Sequence, residues 1–237
     1  MTEFSPNAPV CVVTGGSAGI GLAIARKFAA SGYQIALCGR DPQKLSAAQQ
    51  SITAEGGVCR TESLDVQDIP ALKTFLINLQ SDPGRIDVLV NNTGRAPVLA
   101  LEAVSEEEFR QTMAVNVDAV FFATQTVWPI MKAQGGGVII NISSLASVDP
   151  FVGFSVYGAG KAWVNLFTRA TADEGKEHNI RVYCAALGAV DTDLLRGLFP
   201  DFPQDQRLTP EEVADFVAQF PEPPMQHLSG QTFFLKR

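Results

Sequence analysis

With 237 residues, 46% of them hydrophobic and 18% charged, the chain can bury one sizeable core, and its composition excludes a largely disordered or fibrous protein. Its 25 acidic residues outnumber 18 basic ones for a net charge of −7, and no Lys/Arg cluster forms a stripe for a phosphate backbone, which argues against a nucleic-acid partner. No stretch approaches about 18 uninterrupted apolar residues, the opening MTEFSPNAPV has neither a basic nor an apolar leader segment, and two histidines leave little from which to build a metal site or a Ser-His-Asp triad.

The expectation is a cytoplasmic protein with no membrane partner and no metal. Its first eight residues are the one candidate for a loose tail. PVCVVT (9–14) reads as a strand and leads through TGGSAGIG into a helix over 19–31. YQIALCG (33–39) is a second strand, followed by a helix over 42–55 with Asp41 as N-cap and Pro42 in its first turn. VCRTESL (58–64), a helix over 68–80 and RIDVLVN (85–91) come next, then 105–134, long enough for two helices. GVIINIS (137–143), a helix over 155–178, IRVYCAAL (180–187), a helix over 209–220 opened by the capping box Thr209-Pro210-Glu211-Glu212, and QTFFLK (231–236) complete the series. Most strands are apolar on both faces, which suits parallel strands covered by helices. The alternation predicts an α/β fold: one domain spanning 1–237, a doubly wound, mainly parallel sheet of seven strands with helices on both faces. Cys11, Cys38, Cys59 and Cys184 fall in the strand-like runs with no C-x-x-C pairing and read as reduced core thiols. The aperiodic stretch at about 189–208 is a candidate lid.

Two patterns carry chemistry. In TGGSAGIG (14–21), Gly15, Gly19 and Gly21 permit a tight turn, close approach of a pyrophosphate and close helix packing, and the helix start adds free N–H groups. In SVYGAGKAWV (155–164), helical spacing stacks Tyr157 over Lys161, with Gly158, Ala159 and Gly160 keeping that surface open. A cation one turn away is expected to lower the phenol from its ordinary pKa of about 10, making Tyr157 a usable acid or base.

The TGxxxGxG turn, LDV (64–66), NNTG (91–94), Asn116 in VNVDA, Ser144 in ISSLAS and the Tyr157-x-x-x-Lys161 pair occur in one order across nearly the full chain. In this the sequence resembles the short-chain dehydrogenase/reductase family. The resemblance implies an NAD(P)-dependent oxidoreductase acting on CH–OH and C=O groups. It implies a catalytic set in which Ser144 polarises the carbonyl, Tyr157 exchanges the proton, Lys161 bonds the nicotinamide ribose and Asn116 holds a relay water, with Ser143 the weaker serine. It implies cofactor contacts from Gly15, Ser17, Gly19, Ile20, Gly21, Arg40, Asp65, Val66, Asn92, Gly94, Tyr157, Lys161, Gly188, Val190 and Thr192. It also implies a homodimer or homotetramer, built on the helices carrying Phe121, Phe122, Trp128, Trp163 and Phe167. The sequence departs from the family's pattern at Leu187, which replaces a proline, at Ala119, which replaces a glycine, and at Thr93, which replaces an alanine.

At the end of the second strand Gly39 stands where NAD-preferring relatives carry an acid, and Arg40 follows, able to make charge-assisted hydrogen bonds to a 2′-phosphate, which favours NADP(H) over NAD(H). The rival reading has Asp41 on an NAD ribose. Expected substrate walls include Leu145, Phe151, Phe154, Leu194 and Leu195, with Pro97, Val98, Val148, Leu198 and Phe199 nearby and Arg95, Asp149 and Arg196 as the few charges. Such walls suit a small, apolar ketone or aldehyde, as in a carbonyl or 3-oxoacyl-thioester reductase. The alternatives are an NAD-dependent secondary-alcohol dehydrogenase and a cofactor-binding scaffold without turnover.

Overall fold

The alternation of apolar runs and helices assembles into one seven-stranded sheet, described over residues 4–237 in a computed structural model. β1 (Val10–Thr14), β2 (Gln34–Gly39), β3 (Cys59–Ser63), β4 (Val88–Asn91), β5 (Gly137–Ser144), β6 (Ile180–Leu187) and β7 (Thr232–Leu235) lie in the order β3-β2-β1-β4-β5-β6-β7, and every pairing is parallel. The expected strands are all present, the fourth starting at Val88 rather than 85. β1, β2 and β4 are buried along their whole length, because helices cover both faces. One apolar cluster, with Phe28, Tyr183 and Phe220, fills one side of the sheet, and another, with Leu72, Leu76 and Met131, fills the other. The strand order reverses between β1 and β4, opening a crevice at their C-terminal ends.

The helices are α1 (Gly19–Ala30), α2 (Pro42–Ala54), α3 (Ile69–Ser81), α4 (Glu106–Met113), α5 (Ala119–Ala133), α6 (Ser155–Gly175), α7 (Asp193–Leu198) and α8 (Pro210–Val217). Asp41 accepts from the N–H groups of Gln43 and Lys44, and Thr209 and Glu212 close the expected capping box. The segment expected to hold two helices does so, but α4 and α5 are joined by a π-helical turn, Ala114–Asp118, rather than by a loop. The stretch from 191 to 207 is more ordered than its lack of periodicity suggests. It contains α7 and a 3₁₀ turn, Gln204–Gln206, and its ends are tied by the Val190–Leu208 bridge and by buried Arg207 donating to Asp191 at 3.0 Å. A further 3₁₀ segment, Pro223–Leu228, had no clear sequence signal.

The first eight residues are not a loose tail where they are described. Phe4 is buried beneath the Arg60 guanidinium, and Gln34 donates to the carbonyls of Ser5 and Ala8. Residues 1–3 lie outside the described part. All four cysteines are buried and free. Among the described residues, no helix is long and apolar enough to cross a membrane.

A chain of buried amides and hydroxyls fixes the helix layers to the central strands. Asn91 of β4 donates to Thr124 of α5 and to Asn141 of β5 (3.2 and 2.9 Å), Asn141 donates to Thr168 of α6 (2.9 Å), and Thr168 donates to the Val164 carbonyl (2.9 Å). Amides this deep are tolerated because each finds a partner. Replacing Asn141 by leucine leaves an Asn91 N–H without an acceptor and should cost about 2 kcal/mol of unfolding free energy in urea. A loss below about 0.5 kcal/mol would show that the network contributes nothing to holding α6.

Candidate active site

β1 runs into the glycine turn, where the Gly15 and Gly16 N–H groups donate to the Cys38 carbonyl of β2. Gly15 and Gly19 adopt φ of +66° and +51°, conformations a side chain resists. A Cβ on Gly21 would lie 2.4 Å from the Gly15 carbonyl oxygen, so the turn can fold back on α1 only without one. Asn92 donates to the carbonyls of Thr14 and Gly15 (3.0 and 3.1 Å), and the Thr14 hydroxyl accepts from the Asn92 N–H. The side chain of Asn92 therefore holds the turn in place. The motif spacing did not mark Thr14 as a separate structural participant.

The geometry fits a dinucleotide pyrophosphate. α2, α3, α4, α7 and α8 begin with side-chain caps, whereas α1, like α5 and α6, has no side-chain cap and no acidic residue in its first turn. α1 starts directly after the glycine turn at the end of β1, and an anion there would satisfy its first N–H groups. Gly19 faces Thr192, with room for a Cβ only at 3.2 Å from the threonine methyl. Beside Gly15 lies Thr93 Oγ1, the one buried side-chain polar atom among the described residues without a hydrogen-bond partner.

The other expected cofactor residues ring the same crevice. Ser17 lies against Gly39, Arg40 is exposed at the end of β2, and Ile20 is half-buried on α1. Asp65 accepts from the Gln67 N–H, and Val66 is buried. Gly94 is exposed after β4, where its missing Cβ would sit 3.4 Å from Asn116 Oδ1 and 3.6 Å from Lys161 Nζ. Gly188 donates to the Leu235 carbonyl at 2.7 Å, Val190 is buried, and Thr192 caps α7.

Three elements, the π-helical turn, β5 and α6, bring Asn116, Ser144, Tyr157 and Lys161 to the C-terminal ends of β4 and β5. Ser144 closes β5, and its hydroxyl accepts from the Ala146 N–H (3.2 Å). Ser143 is buried and donates to the Lys161 carbonyl (3.1 Å), which turns it away from the crevice. Tyr157 and Lys161 project from α6, with Nζ 5.9 Å from the phenol ring centroid. The Lys161 ammonium, 3% exposed, donates to the Ile142 carbonyl at 2.9 Å, and burial pushes it down to about 8.

Two electrostatic and steric expectations are corrected. Tyr157 is pushed above its ordinary value by burial, and the opposing influence is a hydrogen bond to Ser144 rather than the charge of Lys161, whose ammonium is turned onto Ile142. The small residues between them are there chiefly for packing. A Cβ on Gly158 would lie 2.7 Å from the Ala146 carbonyl oxygen, and Gly160 is buried against Asn116; only Ala159 is exposed.

Asn116 sits in the π-helical turn, completely buried. Its Nδ2 donates to the carbonyls of Arg95 (2.7 Å) and Thr112 (2.9 Å), and its Oδ1 accepts from the Arg95 N–H (3.3 Å). The expected substrate residues separate into two groups. Phe154 is buried and packs against Tyr157 (5.1 Å between ring centroids) and Phe199 (6.0 Å), so it is a floor rather than an open wall. Phe151 and Leu194 are exposed on the rim, and Leu145 and Leu195 are half-buried. Arg95 and Arg196 are engaged in ion pairs, the first with Glu108 and the second with Asp191 and Asp193.

Known proteins resemble this chain in sequence and fold. An uncharacterized oxidoreductase of Bacillus subtilis is 32% identical over 95% of this chain and 96% of its own. An actinorhodin polyketide ketoreductase solved with NADPH superposes with a TM-score of 0.91, at 26% identity over 98% of this chain and 97% of that one. An L-sorbose reductase from Gluconobacter frateurii, solved with NADPH and L-sorbose, superposes with a TM-score of 0.90, at 27% identity over 99% of this chain and 96% of that one. The sequence model of the short chain dehydrogenases matches residues 9–202, and with the sheet order and the turn at the β1–β4 crevice it establishes that the chain belongs to the short-chain dehydrogenase/reductase family of NAD(P)-dependent oxidoreductases.

Proposed function

We propose that this protein reduces an apolar ketone or aldehyde to an alcohol with NADPH, Tyr157 giving the proton. The observation that carries the reading is the convergence of Ser144, at the end of β5, with Tyr157 and Lys161 of α6, the Lys161 Nζ lying 5.9 Å from the phenol ring centroid. Gly15, Gly19, Ile20 and the start of α1 would hold the pyrophosphate, with Asn92, Gly94, Asp65, Val66, Gly188, Val190 and Thr192 around the rest of the dinucleotide. When bound, its nicotinamide supplies the hydride. Ser144 would donate to the carbonyl oxygen of the substrate, polarising it, and Tyr157 would transfer its proton to that oxygen as negative charge develops there. A phenol is protonated at neutral pH, the form that reduction needs, and burial shifts Tyr157 further in that direction. Lys161, drawn from Ile142 toward the ribose, would then assist loss of the phenolic proton.

The NADP(H) preference is supported by exposed Arg40 beside Gly39, and by Asp41, whose carboxylate is committed to capping α2. The apolar substrate is supported by the rim, where Val98, Val148, Phe151 and Leu194 are exposed while Arg95 and Arg196 are neutralised by carboxylates. Exposed Leu166 and Phe121 beside the stacked Trp163–Phe167 pair support a homo-oligomer.

Tyr157→Phe should lower turnover by about 10²-fold or more in an assay of NADPH absorbance with a panel of carbonyl compounds, because it removes only the transferable proton. NADPH affinity should stay within about threefold; turnover near the wild-type rate would refute the role. Arg40→Asp should weaken NADPH about tenfold or more and favour NADH in fluorescence titrations, since a charge-assisted contact of about 1.5–3 kcal/mol is lost. An unchanged ratio of the two affinities would make Arg40 an ordinary surface charge.

Lys161 also links function to stability. Its pKa is about 8 in the fold against 10.5 ordinarily, so the cost of burying its charge is fully present below pH 8 and is relieved as the pH rises toward 10.5. Urea unfolding of Lys161→Met and wild type should show the wild type gaining up to about 3 kcal/mol on the variant between pH 7 and pH 10.5. A difference that stays constant over that range would refute the depressed pKa.

A further inference from the structure

We infer that the Arg95 side chain is a positioning residue for Asn116, clamping the segment after β4 to α4 so that the Asn116 amide keeps one orientation beside Lys161. The inference rests on the reductase reading for its kinetic consequence but on geometry alone for the clamp. Arg95 is tied at both ends. Its main chain brackets the Asn116 amide, accepting from Nδ2 at 2.7 Å and donating to Oδ1 at 3.3 Å. Its guanidinium reaches the other way, Nη1 donating to Thr112 Oγ1 at 2.9 Å and Nη2 to Glu108 Oε2 at 2.7 Å. Thr112 lies one helical turn before Asn116, and its carbonyl accepts the second Nδ2 hydrogen at 2.9 Å.

A ring thus closes from the Arg95 main chain to Asn116, back to Thr112 and through the guanidinium to Arg95 again. Both Nδ2 hydrogens are committed, so the amide cannot flip without breaking two bonds, and Oδ1 keeps one lone pair. That oxygen borders the open face of Gly94, as does Lys161 Nζ. A planar fork is needed for the outer half of the ring, because the hydroxyl and the carboxylate must be met in two directions at once. Thr112 is 1% exposed and therefore gives the fork a rigid anchor. The clamp also explains why Arg95, although it follows the crevice-lining Gly94, presents no free cation to a substrate.

The test compares Arg95→Met, which keeps an apolar stem but removes the fork, with Arg95→Lys, which keeps the charge opposite Glu108. Amide hydrogen exchange on the full chain should speed up at residues 94–97 and 112–117 in Arg95→Met, with partial recovery in Arg95→Lys. With NADPH and a carbonyl that the wild type reduces, Arg95→Met should lose about tenfold in kcat while the NADPH Kd stays within about twofold, and Arg95→Lys should regain part of that loss. Unchanged exchange in both segments would overturn the clamp. A loss of kcat accompanied by equal losses in NADPH affinity and Tm would overturn the positioning role in favour of plain destabilisation. A wild type that reduces no carbonyl compound while binding NADPH would count against the reductase reading, and the exchange measurement would still decide the clamp.

Discussion

The closeness of α6 to the end of β5 governs the rest of the site. Gly158 lets the helix approach the Ala146 carbonyl, Lys161 reaches the Ile142 carbonyl, and Ser143 bonds back to the Lys161 main chain. Farther along, Asn141 reaches Thr168. These contacts fix the rotation of α6 about its own axis, and that rotation decides where the Tyr157 hydroxyl stands relative to Ser144. A larger residue at 158 would push the helix off the strand and separate the two hydroxyls, even though no reacting group had been altered.

The crevice that α6 borders exists for a topological reason. Strand order reverses between β1 and β4, so the connections leaving them depart to opposite faces and leave a gap above the strand ends. Asn92 and Thr14 tie the two sides of the gap together, and the glycine turn lies along it. The π-helical turn adds Asn116 from a third direction, since the extra residue re-aims a side chain within an otherwise continuous helical stretch. The electrostatic result is a lysine buried at some cost in stability and a phenol shifted upward by burial.

Much of this was legible in the sequence. Runs such as VCVVT and QIALCG are apolar at every position, and only a strand covered on both faces has a use for that pattern. Asp41-Pro42 and Thr209-Pro210-Glu211-Glu212 marked helix starts because capping is a local interaction between near neighbours. The residues around the crevice were also legible, as types at fixed spacings. Their surroundings were not. The lysine's effect on the phenol is not legible in the spacing, because one helical turn sets a separation along the chain, whereas the direction of Nζ depends on a carbonyl of β5, nineteen positions away. The burial of Phe154 was not legible for the same kind of reason, since it packs against Tyr157 and against Phe199 in a distant segment.

The sequence by itself determined the fold class, the strand count, the glycine turn and the side-chain types gathered at the crevice, because periodicity, caps and glycine spacing act over a few residues. Only the tertiary structure decided which serine faces the crevice, that the glycines of α6 serve packing, that Arg95 is bound to Glu108 and Thr112, and that burial rather than Lys161 sets the direction of the shift at Tyr157. Each of those depends on desolvation and on partners far away in the chain, and both arise only when the sheet closes and the helices dock upon it.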